Sequence, residues 1–169
     1  VAGAGLLALL RGAALDAQFG GPEDVAVEAS GSILVADTGN HRVLRITGSQ
    51  ISIVYGRQDC GPPTSDLELR EPAGVDFDAT GNIYVADTGR HRIVRIAPGG
   101  TDFRVIAGVT DVAGLSGERL VATRATLDSP LDVAIAPDGA IVVADSGNAR
   151  IRRIDPNTNE IVTIVGQVY

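Results

Sequence analysis

Three segments of this chain are near copies of one another, and that repetition constrains the fold more than any other feature. Pro22 to Ile46, Pro72 to Ile96 and Pro130 to Ile154 align without a gap over twenty-five columns, eleven of them identical throughout. The shared columns begin at the prolines and at Val25, Val75 and Val133, pass through Gly31, Gly81 and Gly139, and end on Arg45-Ile46, Arg95-Ile96 and Arg153-Ile154. Equivalent aspartates (Asp37, Asp87, Asp145) lie fifty and then fifty-eight residues apart, so the copies share a core and differ in their connections. Self-similarity of this kind marks stacked supersecondary units, each burying a face against its neighbour.

Each copy reads as antiparallel strands. Val25 and Val27 alternate with polar or small residues, as do Val75 with Phe77 and Val133 with Ile135, which is the period of a half-buried strand. A glycine then marks a tight turn at Gly31, Gly81 and Gly139. Ile33-Leu34-Val35-Ala36 and its counterparts are apolar on both faces, as expected of a strand in a sheet packed between two layers. A third strand follows the Asp-Thr/Ser-Gly-X-X-Arg turn, and a fourth closes each unit at 51–56, 103–108 and 161–166. Four-stranded units recurring in this way predict an all-β chain, a β-propeller segment of three blades at about 22–56, 72–108 and 130–166. The linkers are 4–21, 57–71 and 109–129, with Phe19, Leu69 and Leu127 as apolar anchors three residues before each proline. Val1-Ala2-Gly3 matches the end of a fourth strand.

Composition removes several function classes. All 14 basic residues are arginine against 21 acidic ones, and a net charge of −7 disfavours binding to a phosphate backbone. Any basic face would have to be built on Arg90, Arg92 and Arg95. No apolar run approaches the roughly 18 residues of a membrane span. The single Cys60 allows neither an intrachain disulfide nor a cysteine zinc site. The absence of Met is expected of a processed product or a segment of something longer.

Val35-Ala36-Asp37-Thr38-Gly39-Asn40-His41-Arg42 and Val85-Ala86-Asp87-Thr88-Gly89-Arg90-His91-Arg92 resemble NHL repeats. The resemblance implies a β-propeller, often of six blades. It extends to the linkers, whose Ala-X-Leu-X-X-Pro pattern at Ala125 to Pro130 is similar to bacterial members. It further implies an extracytoplasmic setting, secreted or periplasmic. For function it implies a broad range: RNA-binding domains, protein-interaction platforms, kinase sensor domains and a zinc-dependent amidating lyase. Two columns depart from uniformity, because Arg90 stands where the others have Asn40 and Asn148, and Ala149 stands where they have His41 and His91.

The candidate chemistry is best judged by its periodicity. Asp37 with Arg42, Asp87 with Arg92 and Asp145 with Arg150 recur identically, which assigns them to pinning each hairpin, at about 1–3 kcal/mol per aspartate. His41 and His91 occupy equivalent places in successive blades, where they do not supply the three or four converging ligands zinc needs. Asp76 and Asp78 flank Phe77 on an innermost strand and are the candidates for a cation or general base in the channel, although Ala136 replaces the acid in the third repeat. Cys60 has no neighbouring His in sequence to activate it as a nucleophile. The turns between second and third strands share a face with the linkers, and loops on a rigid scaffold are where binding concentrates. Asn40, His41, Arg90, His91, Asn148, Arg57, Arg70 and Arg119 are therefore the candidate ligand-binding residues. The reading is a non-enzymatic scaffold without cofactor, binding a protein, peptide or glycan. The alternative is part of a propeller lyase or hydrolase with a metal or acid site in its channel. Three blades do not close a ring, so the expected partner is a second copy making six blades, or the rest of a longer chain. Leu34, Tyr84 and Val142 are expected on the open blade faces.

Overall fold

The computed structural model describes residues 14–57, 61 and 63–166; Val1-Ala2-Gly3 and Cys60 lie outside them. The first blade comprises β1 (Pro22–Val27), β2 (Ile33–Asp37), β3 (Arg42–Thr47) and β4 (Gln50–Gly56), hydrogen-bonded in that order. The second comprises β5 (Pro72–Phe77), β6 (Ile83–Asp87), β7 (Arg92–Ile96) and β8 (Phe103–Ala107). A two-residue strand, β9 (Leu120–Val121), lies in the long linker. The third blade is β10 (Asp132–Ile135), β11 (Ile141–Asp145), β12 (Arg150–Ile154) and β13 (Glu160–Val165), and β9 pairs with the outer edge of β13. All pairings within the blades are antiparallel, and Asp37, Asp87 and Asp145 stand opposite Arg42, Arg92 and Arg150 in register. The chain is all-β, three blades of a β-propeller. Among the described residues no helix is long and apolar enough to cross a membrane.

Side-chain alternation sorts the core into layers. Leu34, Ala36 and Val43 of the first blade pack against Val75, Ile83, Val85, Val94 and Ile96 of the second. The opposite face of the second blade sends Ala86, Ile93 and Ala107 against Val133, Val143, Ile154 and Ile161 of the third, with Ala122, Ala125 and Leu127 of the linker completing the layer. Leu34 is thus fully buried and Tyr84 packs towards the third blade, so neither lies on an open face. Both sit on central strands whose two faces are covered by chain already present. Val142 alone of the three projects away from the second blade, opposite to Val143, and it is half-buried. Exposed hydrophobic residues include Val25 and Val27 at the first blade and Leu131, Ile164 and Val165 at the third, besides several in the linkers such as Leu15, Leu67 and Leu115. Leu69 and Leu127 are buried as linker anchors, whereas Phe19 retains 38% exposure.

Candidate functional site

The turns between second and third strands carry most of the polar machinery, and each acts as a clasp. A single 3-10 turn follows each aspartate, at Thr38–Asn40, Thr88–Arg90 and Ser146–Asn148, and the next residue adopts left-handed φ: 55° at His41, 54° at His91 and 51° at Ala149. The aspartates are fully buried. One carboxylate oxygen accepts a linker N–H two residues before the blade's proline: Gly20 to Asp37 at 2.6 Å, Arg70 to Asp87 at 2.6 Å and Asp128 to Asp145 at 2.8 Å. The other oxygen accepts the Nε of Arg42 at 2.7 Å and of Arg92 at 2.7 Å. Those guanidiniums then donate from Nη2 to the linker carbonyls of Gln18 and Glu68, both at 3.1 Å. In the third blade Arg152, in the column held by Leu44 and Val94, also brings Nη1 to 3.3 Å of Asp145. The Gly89 N–H donates to the Arg70 carbonyl at 3.0 Å, and a Cβ on Gly89 would meet Arg70 Cγ at 2.7 Å, which is why that position is glycine.

The same turns also reach the following blade. Thr38 donates to the carbonyl of Pro72 at 2.8 Å and Thr88 to that of Pro130 at 2.6 Å. His41 Nδ1 accepts the N–H of Glu71 at 3.0 Å, and His91 Nδ1 accepts that of Ser129 at 3.0 Å. Both donors have positive φ, 49° and 46°, which turns their N–H towards the ring. The two imidazoles therefore each join one blade to the next and leave Nε2 as the nitrogen that can carry a proton. At the third turn Ser146 donates to its own Ala144 carbonyl and Ala149 has no ring.

The remaining candidates divide by position. Asn40 and Asn148 donate to the clasp aspartates at 2.9 Å each, and Asn148 also to the Gly114 carbonyl at 2.8 Å. Arg90, almost fully buried, contacts Asp111 at 2.9 Å and Asp66 at 3.1 Å and donates to the Ser65 carbonyl at 2.6 Å. Arg70 meets the other oxygen of Asp111 at 3.0 Å, so Asp111 ties the second and third linkers together. Arg57 lies 3.5 Å from Glu68. Arg119 stands apart: its N–H donates to Ile161, which pairs with Ile154 at the far end of the third blade from the Asp145 turn. Of the arginines that could form a basic face, Arg90 and Arg92 are buried in ion pairs and Arg95 pairs with Asp102 at 3.0 Å. Asp111 was not legible as a site residue because the linkers have no common register in which to notice it.

Beside the second linker, Ile53, Val54, Tyr55, Gly56, Arg57, Leu67 and Glu68 line an open cleft of about 280 Å³. Tyr55 forms its back, stacked on Phe103 with centroids 4.9 Å apart and donating its hydroxyl to the Leu67 carbonyl at 2.7 Å. Burial raises the Tyr55 hydroxyl above its ordinary pKa, with the nearby Arg92 charge pulling the other way, so the group stays neutral.

The innermost strands carry a second periodic set. Asp24 accepts the N–H of its neighbour Val25 at 2.8 Å and, with its other oxygen, that of Val75 in the next blade at 2.8 Å. Asp76 does the same with Phe77 at 2.8 Å and Ile135 at 2.6 Å. Asp132 accepts Val133 at 2.8 Å. Burial, together with the charges of Asp24 and Asp76, raises the Asp132 carboxyl above its ordinary value. Asp78 belongs elsewhere: it closes the β5–β6 hairpin by accepting from Thr80, Asn82 and Tyr84. Among the described residues no three His, Cys, Asp or Glu side chains converge on a metal position.

The repeating clasps locate the family. A sequence profile described as the NHL repeat matches residues 19–46, 69–96 and 127–154, each match running from a linker anchor to the end of a third strand. The chain belongs to the NHL-repeat family. Solved propellers align with it at the level of fold. A Bacteroides thetaiotaomicron protein of unknown function aligns with TM-score 0.68 and 18% identity over 85% of this chain and 35% of its own. A gluconolactonase from Xanthomonas campestris aligns with TM-score 0.62 and 18% identity over 88% of this chain and 48% of its own. An auxiliary nutrient binding protein from Bacteroides ovatus aligns with TM-score 0.61 and 16% identity over 83% of this chain and 37% of its own. This NHL chain thus spans less than half the length of the structures it resembles.

Proposed function

We propose that this chain is a non-enzymatic NHL propeller scaffold that binds a protein, peptide or glycan through the face bearing its linkers and Asp-Thr-Gly-X-His turns. The observation that carries the reading is the bridge of Asp111 between Arg70 and Arg90, which holds two long linkers against the turn face beside the Tyr55–Leu67 cleft. Apolar floor, fixed polar rim and concavity are the ingredients of a ligand site, and rigid clasps beneath them lower the ordering cost of binding. Asn40, His41, Arg90, His91, Asn148, Arg57 and Arg70 supply that rim in this reading, whereas Arg119, at the far end of the third blade, takes no part in it.

A second reading has one observation in its favour. The charges of Asp24 and Asp76 help to raise Asp132, which is the environment of a general acid in an enzyme's channel. Amide-resolved NMR on ¹⁵N-labelled protein separates the two. Titration with oligosaccharides and with defined decapeptides shifts Glu71, Arg90, Asp111 and Gly114 if the linker face binds. Turnover of gluconolactone with added calcium or zinc, accompanied by shifts at Val75, Val133 and Ile135, overturns the scaffold reading in favour of the channel.

A further inference from the structure

Linker length decides what covers the outer edge of a blade. The path from Gly108 to Pro130 is six residues longer than the path from Gly56 to Pro72. The longer one descends the third blade: the Arg119 N–H donates to the Ile161 carbonyl at 2.9 Å, Glu118 accepts the Thr163 N–H at 2.9 Å, and the Ala122 N–H reaches the Asn159 carbonyl at 2.8 Å. Those contacts fix which groups of the outer strand face away from the sheet. Ile161 and Thr163 stand opposite Ile154 and Arg152, and in the same repeat columns Phe103 and Val105 stand opposite Ile96 and Val94. The Phe103 carbonyl and the Val105 N–H therefore point away from β7. Neither has a partner among the described residues, although this is the middle blade with a neighbour on each side.

The shorter linker stays at the turns instead. Counted back from the blade's proline, Thr64 holds the column of Ala122, but its N–H donates to the Glu68 carboxylate. Arg90 then holds the Ser65 carbonyl and the Asp66 carboxylate at the turn face. Tyr55 accounts for the detour. It stands in the column of Ala107, which is buried against Ala122 and Ala125 in the other joint, and its larger ring stacks on Phe103 there. Leu67, in the column of the fully buried Ala125, is turned out to 64% exposure and lines the cleft with Tyr55.

We propose that an extended segment of a partner protein adds to the outer edge of β8, antiparallel as β9 is on β13, and sets an apolar side chain against Tyr55 and Leu67. The proposal rests on the scaffold reading above and names its ligand as a peptide strand. β9 specifies that strand. A residue in the place of Arg119 gives its N–H to the Phe103 carbonyl, and an acid before it, in the place of Glu118, accepts the Val105 N–H. The next residue, in the place of Leu120, stands opposite Phe103 on the face where Phe103 meets Tyr55. Charge agrees with the acid, because Arg95 and Arg104 share the single Asp102 and leave a net positive charge on this edge. An unpaired edge is a template for such pairing, its main chain supplying affinity and the adjoining pocket selectivity.

An end-blocked octapeptide copying residues 117–124 is the probe, titrated into the full ¹⁵N-labelled chain. Amide shifts at Phe103, Arg104 and Val105 are expected, saturating with a dissociation constant of about 1 mM or below. Methylating the amide nitrogen of the probe's first arginine weakens binding by about tenfold. Val105→Pro does the same, since it removes an outward N–H and none of the bonds to β7, while Asp138→Ala in the next blade stays within about twofold. Should Val105→Pro not fold by circular dichroism, the methylated probe decides on the native chain, and binding indifferent to it refutes the strand. Shifts at Ile161 and Thr163 without β8 overturn the proposal, because the peptide has then exchanged with β9. Shifts confined to Glu71, Arg90, Asp111 and Gly114 refute the edge and leave the linker-face reading standing. No response at either place, to this peptide or to oligosaccharides, removes both.

Discussion

Replacing Asp87 by alanine removes the centre of the second clasp, and the structure sets the size of the effect. Asp87 is fully buried and Arg92 is 1% exposed. After the change Arg92 keeps its bonds to Thr110 and to the Glu68 carbonyl but has lost the carboxylate that neutralised it. An uncompensated buried charge costs about 3–5 kcal/mol, and the Arg70 N–H, also orphaned, adds to the lower end of that range. This exceeds the 1–3 kcal/mol expected from the repeat pattern because burial was not visible there. The native pair is nonetheless not a large net stabiliser. Burial holds the Asp87 carboxyl above its ordinary pKa, although Arg92 pulls it down. The folded state therefore takes up a proton on this group more readily than the unfolded chain, and its contribution to stability declines as pH rises through the carboxylate range. Hence Asp87→Leu with Arg92→Leu should recover at least half of what Asp87→Ala loses. Urea unfolding followed by far-ultraviolet circular dichroism measures all three, with Asp138→Ala, in an exposed pair with Arg153, as the control. The reasoning fails if Asp87→Ala shifts the midpoint no more than Asp138→Ala does.

His91→Ala should cost about 1 kcal/mol through the lost acceptor for Ser129, with amide exchange at Ser129 accelerated by about tenfold or more while β6 amides stay protected; unchanged exchange at Ser129 counts against the interblade joint. Gly39→Ala should destabilise by about 2 kcal/mol or more, since its Cβ runs into the Gly20 carbonyl oxygen that the Gly39 N–H now bonds; a neutral result in thermal unfolding would show that the clasp yields freely. Asp78 is held at about 2, burial pushing it up while donors from Asn82 and Thr80 outweigh that effect. Its folded pKa lies below the unfolded 3.8, so its stabilisation is present above that value and fades as pH falls towards 2. Screening at this exposed turn cuts the linkage ceiling of roughly 2.5 kcal/mol to about 1 kcal/mol, and Asp78→Asn should flatten the acid limb of the stability profile by that amount.

The fold was legible because its determinants are local and periodic. Alternating valines, the positive-φ glycines at 31, 81 and 139 and the doubly apolar second strands each name one structure, and they agree. The clasp was half legible: the Asp-to-Arg spacing gave the pair, but the linker N–H and carbonyl groups that Asp87 and Arg92 hold are backbone atoms without a sequence signature. Of the inner-strand acids Asp76 was legible, but Asp24 and Asp132 were hidden by the alignment itself. Asp24 and Asp132 share a column that Gly74 occupies in the second repeat, and a Cβ at Gly74 would lie 2.6 Å from the Asp132 Cα. The carboxylate moves two residues on, to Asp76, where the strand direction points it to the same edge. Asp78 carried its own turn signal in Asp78-Ala79-Thr80-Gly81-Asn82, an Asx-type closure that explains its place in the hairpin better than proximity to Asp76 does.

The clasps also explain why the blades are alike and the linkers are not. Each linker is fixed at its last residues, where Gly20, Arg70 and Asp128 give both N–H and carbonyl to the turn of the blade they enter. Upstream of that anchor, chain can be added at little thermodynamic cost, because loop closure grows only as the logarithm of length; going from the second linker to the longer third adds about 0.3 kcal/mol. The third linker offsets even that with attachments of its own: Asp111 to Arg70 and Arg90, the Gly114 carbonyl to Asn148, Glu118 to Thr163, and β9 to β13. Every one of these partners except Arg70 sits on a blade, and most are absent from the equivalent position of the other repeats. Variation in the linkers is therefore held as rigidly as the repeats themselves. Those differences fall at both ends of the third blade: Asp111 and Gly114 are held at the turns, and β9 at the opposite end.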